Sequence, residues 1–141
     1  MGETICLQPL ATFRGKLTAA GSARENSLNQ PAAGWGQTGR HQHATFHVHI
    51  LRQEGSGASA PKLLLETGAT PSGPWYPLES FERGGTPPPD PPTNAVVGAS
   101  VGATAGTGKM LERYFRWRID VTALADTDTW AMCFGICVTL R

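Results

Sequence analysis

From Trp130 to Leu140 every second residue is large and apolar: Trp130, Met132, Phe134, Ile136, Val138 and Leu140. A β-strand sends successive side chains to opposite faces, so an extended chain puts all six on one face, where a helix would scatter them around its circumference. Such a face needs a second layer to cover it, and the strand that carries it is expected to lie at the centre of a sheet. The intervening positions, Ala131, Cys133, Gly135, Cys137 and Thr139, are small, and the two cysteines are expected to pack there as small hydrophobes under a neighbouring layer. Four residues of strand hold Cys133 and Cys137 about 13 Å apart, too far to bond to each other.

Just upstream, RYFRWRIDV alternates in the same way. Phe115, Trp117, Ile119 and Val121 share one face, and Tyr114, Arg116, Arg118 and Asp120 the other, which predicts a half-buried strand. The short TALADTDT segment between these two strands has Asp and Thr turn chemistry and predicts an antiparallel connection. ATFHVHILR and KLLLET read as two more strands, joined through the loop QEGSGASAP as a long β-hairpin. Trp75 to Phe81 is punctuated by proline and predicts an edge strand, while the first strand falls in ETICLQPL or ATFRGKL.

With 17 glycines and 11 prolines among 141 residues and no amphipathic helical run, the chain is expected to be all-β: a single antiparallel sandwich of jelly-roll type over residues 1–141. Two stretches fall outside this pattern. Residues 18–44 read as an extended arm or long loop, and 84–108, which opens on a proline-rich run, as an insertion loop.

Twelve Lys and Arg against eleven Asp and Glu give a formal charge of +1, so no overall field gathers nucleic acid or acidic lipid. No apolar run reaches the roughly 20 residues of a membrane-spanning helix, and the first residues do not pattern as a signal peptide. No membrane partner is expected. Three cysteines, Cys6, Cys133 and Cys137, are too few and of the wrong parity for a disulfide framework, which points to a reducing compartment.

All four histidines, His41, His43, His47 and His49, fall on odd positions within nine residues. Two imidazoles spaced as His47 and His49 share a strand face and can converge on one metal ion. The pair, with Glu54 beyond it, resembles half of a cupin metal motif, but no histidine follows position 49 to complete that set. A polar strand face is the plainer reading, and no cofactor is expected. Catalytic pairings are missing as well. GATAGTGK has the glycines and lysine of a phosphate loop, but Met110 stands where Ser or Thr must reach magnesium. The chain is not expected to be an enzyme.

Partner-binding residues are sought on the aromatic and basic strand and among the isolated aromatics. Tyr114, Arg116 and Arg118 project together and are suited to anchor a protein interface. Trp75 and Tyr76, set between prolines, and Trp35, set between glycines, are candidates for an exposed aromatic platform.

Taken together, KLLLETGATPSGPWYPLESF, ERYFRWRIDV and the closing WAMCFGICVTLR resemble small structural proteins of tailed phages and related particles, over residues 45–141. They are also similar in outline to discoidin-like and other glycan-binding sandwiches. The first resemblance implies a virion subunit, a head decoration or capsid-associated protein assembled in the host cytoplasm. It would bind copies of itself and major capsid or other particle proteins through its arms. The second implies a carbohydrate-binding module, with a glycan as partner. A metal-binding role for the histidine cluster is a further alternative.

Overall fold

The computed structural model describes residues 2–17, 28–57, 59–82, 93–103, 109–125 and 127–141. In chain order the strands are β1 (Glu3–Lys16), β2 (Leu28–Asn29), β3 (Gly36–Gln37), β4 (His43–Gly55) and β5 (Lys62–Gly68). β6 (Trp75–Phe81), β7 (Thr93–Ser100), β8 (Lys109–Met110), β9 (Tyr114–Asp120) and β10 (Thr129–Leu140) follow. They form two sheets. The first runs β1-β10-β4-β7-β8, and the second β2-β9-β5-β6, with β3 also pairing β9. Every pairing is antiparallel except that of β7 with β8. The fold is thus the expected all-β sandwich.

β10 is central, with β1 on one side and β4 on the other. Its six large apolar side chains are all buried. β9 buries Phe115, Trp117 and Ile119 and leaves Tyr114, Arg116, Arg118 and Asp120 partly open. The two inner faces meet through aromatic contacts. Phe46 of β4 meets Phe115 of β9 edge to face at 5.3 Å, and Phe134 of β10 meets Trp117 at 5.1 Å. Phe13 of β1 lies 5.0 Å from Trp117. Each such ring contributes roughly 1.5–3 kcal/mol by leaving water, so these five positions fix how the sheets dock.

Four expectations are corrected. β4 and β5 do not form a hairpin, because they belong to different sheets, and the first three residues of the expected loop QEGSGASAP are still in β4. The same holds for β9 and β10: each has a continuous apolar face that must cover the other sheet, so the chain between them changes layer instead of turning within one. The 84–108 stretch is not one insertion loop. It contains β7, which pairs with β4 from Thr93↔Ile50 to Ser100↔His43 and buries Val97 and Ala99; residues 83–92 and 104–108 lie outside the described ones.

The 18–44 stretch, expected as an extended arm or long loop, already enters β4 at His43. From Leu28 to Gln37 it lines the edge of β9. Gln30, buried at 3% exposure, explains why. Its Oε1 accepts the Trp117 backbone N–H at 3.2 Å while its Nε2 donates to the Leu7 and Gly34 carbonyls at 2.8 Å. One amide therefore ties the segment to both sheets. Gly36 completes the contact: a Cβ there would lie 1.9 Å from the Phe115 ring, so only glycine lets the chain pass. Residues 18–27 lie outside the described ones.

Candidate functional site

The outer face of the second sheet gathers five of the six expected partner-binding residues. Alternation along β9 points Tyr114, Arg116 and Arg118 outward, and the register sets Glu66 of β5 opposite Arg116 and Gly68 opposite Tyr114. Trp75 opens β6 opposite Gly68, so its ring falls beside Arg116. Trp35 arrives from the chain between β2 and β3, held by a hydrogen bond of 2.8 Å from its indole N–H to the Gln30 carbonyl. The Trp35 and Trp75 rings meet edge to face at 4.8 Å. The Arg116 guanidinium lies 4.0 Å from the Trp75 ring centre and 5.5 Å from that of Trp35.

Beneath this cluster sits Glu66, only 6% exposed although it points away from the core. Its Oε1 accepts Arg116 Nε at 3.3 Å and lies 3.5 Å from Arg118 Nε, a buried atom with no hydrogen-bond partner. Arg118 also reaches Asp120 at 3.9 Å. Two guanidiniums and two carboxylates therefore balance. Burial pulls the Arg116 pKa below its usual value against the opposing pull of Glu66. Asp120 is held below the usual carboxylate value: burial works against its charge, but hydrogen bonds from Thr122 and the charges of Arg118 and Lys62 outweigh it. A self-neutralised cluster of this kind has no surplus cation to offer a phosphate backbone.

Tyr114 stays on this face, with the guanidinium of the exposed Arg113 5.4 Å from its ring. Tyr76 does not join. Alternation sets it on the opposite side of β6 from Trp75, and its ring is 53% exposed beyond the edge of the sheet. Trp35 and Trp75 therefore do not form an open platform with Tyr76. They are packed against each other and capped by Arg116. Glu66 went unmarked in the sequence, where its only signal was a lone acid within the apolar run KLLLET.

The histidines lie elsewhere. His43, His47 and His49 do share the outer face of the first sheet, as alternation requires. His43 contacts Ser100 Oγ at 2.8 Å, His49 Nδ1 contacts Asn94 Oδ1, and His41 pairs with Glu3 at 3.2 Å. Among the described residues no group of three or more His, Cys, Asp and Glu side chains converges to hold a metal ion. Cys133 and Cys137 face outward on this sheet and are not covered by a layer, Cys137 being exposed. Leu10 lies beside them. A register irregularity between Gln8 and Ala11 brings β1 over Gly135, where an added Cβ would lie 3.3 Å from the Leu10 backbone.

Compared with family models, curated proteins and solved structures, the chain matches none.

Proposed function

We propose that this chain is a non-enzymatic structural subunit of a virion or phage-like particle, a head decoration or capsid-associated protein that binds copies of itself and its capsid neighbours. The observation that carries the reading is the strand order. Taking β2 and β3 together as one edge, four strands β1-β10-β4-β7 face four strands β2/β3-β9-β5-β6. We read this as the winding of a jelly roll, an architecture shared by capsid subunits, lectins and cupins. Fold alone does not choose among these three, so the sites must.

Two observations favour the particle. A sugar-stacking platform needs an open aromatic face, and here Trp35 and Trp75 are packed edge to face under Arg116. A cupin needs a convergent ligand set, and none is formed among the described residues. What remains exposed suits protein contacts: Tyr76 and Arg113 at one end of the second sheet, next to the half-buried Tyr114, and Leu10, Leu51 and Val96 on the first.

Purified chain tested by analytical ultracentrifugation over a concentration series is expected to show an average mass that rises above 15.0 kDa as concentration rises. A monomer at every concentration contradicts self-association. In parallel, tryptophan fluorescence titrated across a broad glycan panel is expected to stay flat, and a saturable change would favour the lectin reading instead.

A further inference from the structure

The register of the first sheet sets Cys6 of β1 opposite Cys137 of β10. Residues directly opposite in an antiparallel pair point to the same face with Cα atoms about 4.5–5.5 Å apart, inside the roughly 4.4–6.8 Å window that a disulfide spans. Both thiols are free and both are exposed. They open into a shallow groove of about 410 Å³ on the outer face, between Leu10 on one side and Val96 on the other, with His47 next to Cys137 in the register. The groove is wide enough for a small molecule to reach either sulfur. Cys133 is a different case, since it lies two pleats along β10 opposite Thr12 and has no thiol across from it.

We propose that Cys6 and Cys137 form a dithiol modification site that is oxidised to a cross-strand disulfide by a low-molecular-mass disulfide of the glutathione type. One protein thiolate attacks a sulfur of the small disulfide, breaking its S–S bond and releasing one small thiol, which leaves a mixed disulfide on the protein. The second protein thiolate then attacks the protein sulfur of that mixed bond and expels the second small thiol. Two protein S–H bonds are lost and one protein S–S bond is made. The small disulfide takes up the two electrons and both protons as two thiols. The bond ties the edge strand β1 to the central strand β10, and so the first strand of the fold to the last. The site stands on register and exposure alone and does not depend on the particle reading.

The test treats the native chain with oxidised glutathione and follows intact mass, a peptide map and thermal unfolding. The expected product has lost two hydrogens, yields a Cys6–Cys137 cross-linked peptide, and leaves Cys133 free to alkylation. Its Tm rises by roughly 5–10 °C and returns on reduction with dithiothreitol. A Cys6→Ser variant is expected to stop at a stable glutathione adduct on Cys137, while Cys133→Ser behaves as the parent chain. Stable glutathione adducts on both Cys6 and Cys137 of the parent chain would overturn the proposal. So would a cross-link that includes Cys133, or disulfides formed only between chains.

Discussion

The Arg116 guanidinium lies over Trp75 at 4.0 Å while its Nε donates to Glu66 at 3.3 Å. The aromatic face and the buried carboxylate therefore compete for nothing: one takes the plane of the guanidinium and the other its edge. This arrangement holds the side chains of the outer sheet face in fixed positions.

Removing the carboxylate should cost more than removing either arginine. Glu66→Gln keeps the shape but takes from Arg116 its carboxylate partner and leaves Arg118 with Asp120 alone. A loss of about 3 kcal/mol in denaturant unfolding is expected, the usual size for breaking a buried pair from one side. The double variant Glu66→Gln/Arg116→Met is expected to recover part of that loss. A Glu66→Gln chain as stable as the parent would show that the cluster holds nothing together.

Asp120 sets a pH dependence whose sign follows from its environment. Its carboxyl is depressed below the usual 3.8 in the folded chain, so the unfolded chain binds its proton first as pH falls. The stabilisation is fully present above the ordinary carboxylate range and is lost as pH drops through the folded value. Urea unfolding between about pH 5 and pH 2 should show the parent losing stability faster than Asp120→Asn. Parallel curves would contradict this.

Gln30 is expected to be intolerant of truncation. Gln30→Ala leaves the Trp117 N–H and the Leu7 carbonyl buried without the partner they now have, at about 1–3 kcal/mol for each group left unpaired. Hydrogen exchange should then rise first at residues 28–37 and along β9, since the edge segment loses its tie to both sheets. Unchanged protection in that region would rule out the tie.

How far the sequence leads depends on what each feature rests on. Alternation is local, so the buried faces of β9 and β10 are legible in Phe115, Trp117 and the run from Trp130 to Leu140. Sheet membership is not local. Nothing in TALADTDT says whether the chain turns within a layer or crosses to the other, and that choice separates β9 from β10. For the same reason Arg116 and Trp75 can each be picked out, while Glu66 between them cannot. The pairing of Cys6 with Cys137 lies further still from view, because it depends on the register of the first strand against the last. The segment 93–100 was hidden by composition: Ala, Gly and Ser give β7 little periodic signal, and its place beside β4 comes from backbone pairing.

Assembly into a particle is read out by sedimenting a lysate of the source cells through a density gradient, with mass-spectrometric detection across the fractions. The chain is expected to travel with megadalton particles together with their major shell protein. A chain found wholly near 15.0 kDa or in small oligomers would contradict it.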